Sequence, residues 1–123
     1  MSRAALTLMI YAAGFGAAGI GLLLAPNLIL PQFGFPPTQE VWIRLIGLLM
    51  VSLATYDVLG AQREIEPIIL ASVPSRLFAG AVMVATWLLG MVGAGILFFA
   101  AVDIVGALAT MLALRRVTPV RAA

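Results

Sequence analysis

Four long apolar stretches dominate the chain, and short segments rich in proline, glycine or charge separate them. Each stretch has at least the roughly 20 residues that a helix needs to cross the hydrocarbon core of a bilayer. The pattern therefore predicts an all-α chain whose spans lie at residues 4–25, 39–60, 67–91 and 94–114. Their short connections predict one membrane domain over residues 1–123, a four-helix bundle without a soluble domain.

Proline and capping residues predict where these helices begin and end. Pro26 closes the first stretch, and Thr38 is the expected N-cap of the second, with Glu40 in its first turn. Pro74 lies inside the third stretch. Because proline lacks a backbone N–H and clashes with the preceding turn, we expect either a kink or a helix start at this residue.

The first stretch has a basic residue, Arg3, at its start, as a signal peptide does. Its apolar run continues to Ala25, however, and this is longer than the hydrophobic region of about 7–15 residues in a signal peptide. We therefore expect a retained membrane helix.

The segment GFGAAG in the same stretch matches the glycine pattern of dinucleotide-binding sites. That pattern requires a soluble parallel sheet, which this chain cannot form. Ala13, Ala17 and Gly21 recur every fourth residue, and small residues at this spacing let two membrane helices pack closely. The same small-residue face is also compatible with the border of a cavity.

Composition supports the membrane assignment and excludes several kinds of chemistry. The chain is 63% hydrophobic and only 10% charged, whereas soluble domains have about 25% charged residues. It contains no Cys, His or Lys, which excludes disulfides, thiol nucleophiles, Schiff-base lysines and histidine-ligated metals. We expect no cofactor and no metal. The net charge of +2 rests on few residues, so no nucleic-acid partner is expected.

Arginine placement predicts the orientation of the four spans. The two ends carry Arg3, Arg115, Arg116 and Arg121, and the connection between the second and third spans carries Arg63. The other two connections carry none. By the positive-inside rule, both termini and the second connection face the cytoplasm.

Four ionisable residues lie inside the predicted spans: Arg44, Asp57, Arg76 and Asp103. A charge at this depth costs about 2.5–3.5 kcal/mol on insertion scales, and it marks a functional site by default. From depth along the helices, Arg44 is expected to pair with Asp103, and Asp57 with Arg76. If the third helix begins at Pro67, Arg76 lies deeper and competes with Arg44 for Asp103.

These charges have a structural and a functional interpretation. In the first, they are ion pairs that fix the register of the helices. In the second, they form a ligand-binding site, to which two tyrosines add hydrogen bonds. The predicted binding residues are Tyr11, Arg44, Tyr56, Asp57, Arg76 and Asp103.

Two function classes fit this pattern. The first is a non-catalytic membrane protein that binds a lipid or an apolar small molecule, or that serves as an accessory subunit of a membrane complex. The alternative is a small enzyme of the isomerase or hydrolase type, with Asp103 as the acid or base and Arg44 as an electrostatic stabiliser. The expected partners are membrane lipids, an apolar ligand, and further copies of the chain or other subunits.

Four segments carry a resemblance to a known family: GLLLAPNLILPQFGF at Gly21–Phe35, WIRLIGLL with Arg44, SRLF with Arg76 and AAVDIVGAL with Asp103. In these the chain resembles the small bacterial four-span DoxX-like membrane proteins of unknown function. The resemblance implies a four-helix bundle in the bacterial inner membrane with its polar residues turned inward. It implies no activity.

Overall fold

The computed structural model describes the backbone of residues 1–122 and the side chains of residues 1–115. It is all-helical over this range. Four long helices, α1 (Arg3–Leu24), α3 (Trp42–Gln62), α4 (Glu66–Leu88) and α5 (Ile96–Ala122), are joined by short connections. The first connection contains a short helix, α2 (Pro26–Ile29), followed by a 3₁₀ turn over Leu30–Phe33. The four long helices are each long and apolar enough to cross a membrane, α5 over Ile96–Arg115.

The helices pack in the spatial order α3, α1, α5, α4. Helix α1 lies against both α3 and α5, and α4 lies mainly against α5. Large apolar side chains on the outer faces are exposed, among them Leu49, Phe78 and Val105. Such a surface suits lipid rather than water, because soluble proteins rarely expose large contiguous apolar areas.

One end of the bundle is closed by a cluster of buried apolar residues. Ala4, Ala5 and Leu8 of α1 pack there with Ala61 of α3 and Ile69 of α4. Ser2 caps α1 by accepting a hydrogen bond from the Ala5 N–H at 3.0 Å. Its own N–H donates to the Glu64 carboxylate in the turn between α3 and α4. The first turn of α1 is therefore tied to that connection.

Helices α1 and α3 cross where both carry glycine. A Cβ atom on Gly47 would lie 2.6 Å from the carbonyl oxygen of Gly19, and one on Gly19 would lie 2.8 Å from that of Gly47. The predicted packing face was Ala13, Ala17 and Gly21, and this register is wrong, since Ala13 and Ala17 are exposed. Close helix packing through small residues is present, but on a neighbouring face of α1.

Two predicted helix starts are corrected by the structure. The second long helix begins at Trp42, and Thr38 does not cap it. Instead, the Thr38 hydroxyl accepts from the Glu40 N–H, and the Thr38 N–H donates to the Asn27 side chain at 2.9 Å. The bond to Asn27 holds the segment against α2.

The second correction concerns Pro74. Helix α4 begins at Glu66 and continues through Pro74 to Leu88, so a helix start at Pro74 is wrong. Pro67 occupies the first turn, where a missing N–H costs no intrahelical bond. Whether Pro74 kinks the helix stays a prediction.

Candidate ligand-binding cavity

A cavity of about 780 Å³ lies between α1, α3 and α5, beneath the connection that joins α1 to α3. This volume is within the range of small-molecule sites, about 300–1,000 Å³. The wall is almost entirely apolar. Its polar side chains are those of Tyr11, Thr38, Glu40, Trp42 and Asp103.

The connection between α1 and α3 forms one wall of the cavity. Pro26 starts α2 at its first position, and Gly34 ends the 3₁₀ turn with φ of 81°, a left-handed conformation that glycine adopts readily. The Phe33 ring then packs on Phe98 and Phe99 of α5, with centroids 5.4 and 4.6 Å away. The connection is thereby held against α5.

Backbone contact reinforces this wall. A Cβ atom on Gly95 would overlap the carbonyl oxygen of Phe33. No side chain fits between the two backbones, so glycine at this position permits the connection to approach the start of α5. The sequence predicts residues 26–38 only as a connection between two spans, and no pattern in it indicates this role.

Tyr11 and Asp103 form the deep polar part of the wall. The Tyr11 hydroxyl lies beside the Asp103 carboxylate, and both residues border the cavity. Asp103 is only 7% exposed. It lies about 10 Å along α5 from Ile96, at 1.5 Å per residue. A buried carboxylate and a phenol at one end of an apolar cavity provide a hydrogen-bonding site for the polar group of a ligand.

Arg76 lies behind this pair and is 4% exposed. Its guanidinium carbon is 4.6 Å from the centre of the Tyr11 ring, a cation–π contact. Nε donates to the Ser72 carbonyl at 3.1 Å, and Nη2 donates to the Thr110 hydroxyl at 2.9 Å. Nη1 is buried without a hydrogen-bond partner. Arg76 does not border the cavity.

A chain of hydroxyl groups connects this arginine to α1. Thr110, which is 0% exposed, lies 2.7 Å from the Thr7 hydroxyl, oxygen to oxygen. Thr110 also has the Gly106 carbonyl within 3.1 Å, and Thr7 has the Ala4 carbonyl within 2.7 Å. Helices α1, α4 and α5 are thus joined by one polar network. Neither threonine was predicted from the sequence, because hydroxyl groups are common in membrane helices and carry no charge.

The expected pair of Arg44 and Asp103 is wrong. Arg44 Nη1 donates to the carbonyl oxygens of Leu23 and Leu24, at 2.6 and 3.2 Å, at the end of α1. The reason is the packing order, since α5 lies against α1 and α4 rather than against α3, which carries Arg44. The alternative expectation, in which a longer third helix brings Arg76 towards Asp103, agrees with the structure. Arg76 acts electrostatically on Asp103 without hydrogen bonding to it.

The other two predicted site residues lie outside the cavity wall. Asp57 is half-buried on α3, within electrostatic range of Arg76 but without a hydrogen bond to it. Tyr56 is 64% exposed on the outer face of the same helix. Of the six predicted binding residues, Tyr11 and Asp103 border the cavity.

No group of three or more Asp, Glu, His or Cys side chains among the described residues could hold a metal ion. Comparison with protein families, curated proteins and solved structures finds no match to this chain. The resemblance to DoxX-like proteins stays a prediction.

Proposed function

We propose that this chain is a non-catalytic membrane protein that binds an apolar small molecule or lipid in the cavity between α1, α3 and α5. The observation that carries the proposal is a ligand-sized apolar cavity with a buried carboxylate and a phenol, Asp103 and Tyr11, on its wall. Apolar sites with a few polar groups are typical of small-molecule binding. The polar groups orient the head of the ligand, and the apolar wall encloses its body.

The two other interpretations receive less support. A purely structural ion pair would place an arginine directly on Asp103, but the carboxylate lies beside Tyr11 and borders the cavity. The proposed enzyme requires Arg44 as an electrostatic stabiliser near Asp103, and Arg44 is bound to carbonyl groups at the end of α1 instead. We therefore favour binding over both.

The proposed location is the plasma membrane of a bacterium, with both termini in the cytoplasm. Arg3 lies at the end of the bundle where the start of α1 contacts the α3–α4 turn, which carries Arg63. Ala113 and Leu114 of α5 pack at this end too, next to Arg115. The connections at the opposite end carry no arginine. This asymmetry supports a cytoplasmic position for the arginine-bearing end.

The chain offers a fluorescent reporter for the cavity. Trp42 borders the cavity and Trp87 does not, and these are the two tryptophans of the sequence. In a Trp87→Phe variant, 12-bromododecan-1-ol should quench Trp42 in a saturable manner, since bromine quenches indole on contact. In a Trp42→Phe variant, the remaining Trp87 should show only the non-saturable quenching due to probe dissolved in the detergent micelle.

A cavity-filling variant provides the decisive comparison. A Cβ atom on Gly14 has no neighbour within 4 Å, although Gly14 borders the cavity, so Gly14→Phe fills space without displacing an atom near its Cβ. We expect about tenfold weaker binding of the bromoalcohol. Ala101→Phe, at an exposed position on α5 away from the cavity, is the matched control and should bind normally. Unchanged binding by Gly14→Phe would exclude the cavity as the site.

A further inference from the structure

The ionisable groups on the cavity wall are all acids. Among the described residues that border the cavity they are Tyr11, Glu40 and Asp103, and none is basic. Arg44 and Arg76, the two arginines within the predicted spans, both lie outside the wall. A ligand in this cavity therefore contacts carboxylates but no basic side chain on the wall.

Aromatic rings cover much of the same wall. Seven of the ten aromatic residues in the chain border the cavity: Tyr11, Phe15, Phe33, Phe35, Trp42, Phe98 and Phe99. The faces of these rings carry negative electrostatic potential, and they attract ammonium groups more strongly where water is excluded. Tyr11 already binds one cation in this way, since the Arg76 guanidinium lies over its ring.

The charges behind the wall do not reverse this preference. One guanidinium, that of Arg76, lies near two carboxylates, those of Asp57 and Asp103. Its Nε and Nη2 atoms donate to Ser72 and Thr110, and neither of these residues borders the cavity. The formal charges of the Arg76 guanidinium and of the two carboxylates, Asp57 and Asp103, add up to one negative charge. A cation in the cavity would complete the balance, and an anion would increase the imbalance.

We infer that the ligand is a lipophilic cation, an apolar molecule whose amine or ammonium group lies at Asp103 and Tyr11. This inference rests on the proposed function and adds the charge of the ligand to it. The apolar part of the molecule extends along the aromatic wall towards Trp42. Fatty acids and other anionic lipids are disfavoured, because their head groups would approach Asp103 without a basic partner.

The test compares three probes with the same 12-bromododecyl chain and different head groups: trimethylammonium, hydroxyl and carboxylate. Binding is measured by quenching of Trp42 in the Trp87→Phe variant, in a neutral detergent. Quenching of Trp87 in the Trp42→Phe variant corrects for unequal partitioning of the probes into the micelle. We expect the ammonium probe to bind about tenfold more tightly than the alcohol, and the carboxylate to bind most weakly.

The outcomes separate the inference from the proposed function. Equal or tighter binding of the alcohol or carboxylate, still weakened by Gly14→Phe, would overturn the cationic preference and leave the cavity as a binding site. Absence of saturable quenching of Trp42 by all three probes would overturn both.

An isosteric pair of variants tests whether Asp103 is the source of the preference. Asp103→Asn keeps the shape of the side chain and removes its charge, so the ammonium and alcohol probes should then bind within about twofold of each other. Asp57→Asn is the matched control, because it removes a carboxylate that lies near Arg76 but outside the cavity wall. It should weaken the preference less than Asp103→Asn does, because it changes the charge balance but leaves the carboxylate on the cavity wall. Loss of the preference in Asp57→Asn but not in Asp103→Asn would overturn the assignment.

Discussion

At the scale of single residues, Arg76 shows how this protein accommodates a buried charge without an ion pair. Its Nε and Nη2 atoms donate to the Ser72 carbonyl and to the Ser72 and Thr110 hydroxyls, and the guanidinium lies over the Tyr11 ring. Nη1 has no hydrogen-bond partner. A charged donor bound to neutral acceptors still gains about 1.5–3 kcal/mol per hydrogen bond. The Asp103 carboxylate is therefore not required as the direct partner of Arg76. It is available to accept a hydrogen bond from a group in the cavity.

This arrangement predicts the effect of removing one hydroxyl group. Thr110→Val keeps the shape of the side chain but removes the acceptor that lies 2.9 Å from Arg76 Nη2. We expect the free energy of unfolding in detergent to fall by about 1–2 kcal/mol. Thr110→Ser keeps the hydroxyl and should stay within about 0.5 kcal/mol of the wild type. Equal stability of all three proteins would show that the hydrogen bond does not contribute.

The sequence identified the buried charges but not their partners. Hydropathy alone marks Arg44, Asp57, Arg76 and Asp103, since any charge inside an apolar helix is conspicuous. The partner of Asp103 depends on which helices are neighbours and on how each is rotated about its axis. The depth of a residue along its helix gives neither the neighbouring helices nor their rotation. Depth alone therefore predicts a pair of Asp103 and Arg44, although α5 packs mainly against α4 and α1 and not against α3, which carries Arg44.

At the scale of elements, the crossing of α1 and α3 depends on two glycines. Because a Cβ on Gly47 would lie 2.6 Å from the Gly19 carbonyl oxygen and 2.7 Å from the Leu23 nitrogen, alanine there must push the helices apart. We expect Gly47→Ala to lower the free energy of unfolding by about 1–3 kcal/mol.

Gly14→Ala is the matched control for Gly47→Ala, since its Cβ meets nothing within 4 Å. It should leave stability unchanged or raise it by up to about 1 kcal/mol, the usual difference between glycine and alanine in a helix. Thermal or denaturant unfolding in detergent measures both. A Gly47→Ala protein as stable as Gly14→Ala would mean that the two helices do not cross at these residues.

The helix bounds can be predicted from the sequence, but the faces through which the helices pack cannot. The four long helices follow from apolar length. Their predicted and observed ends differ by no more than three residues, except that α5 continues to Ala122, eight residues beyond the predicted end at 114. The packing face does not follow, because α1 has small residues on more than one face: Ala13, Ala17 and Gly21 on one, and Gly16 and Gly19 on another. Which of these faces packs against α3 depends on the side chains that α3 presents to α1, and the sequence of α1 does not contain this information. The wall formed by residues 26–38 was missed because its contacts to Phe98 and Gly95 are distant in sequence.

At the scale of the whole molecule, the fold combines two different ends and one cavity. Apolar packing closes the end that carries Arg3 and Arg63, and the α1–α3 connection covers the cavity towards the other end. Between them lie the polar groups of Tyr11 and Asp103. This arrangement accounts for a carboxylate inside an apolar helix. Under the proposed function, Asp103 would bind the polar head group of the ligand in the cavity that it borders.

The native mass of the protein tests this claim most directly. After gentle extraction and release from the detergent in the mass spectrometer, the wild type should retain a small molecule that remains bound to the intact chain. The Gly14→Phe variant, with part of the cavity filled, should lose most of that adduct, whereas Ala101→Phe should keep it. A wild type without any bound molecule, or an adduct retained equally by Gly14→Phe, would contradict the claim that the cavity is a ligand-binding site.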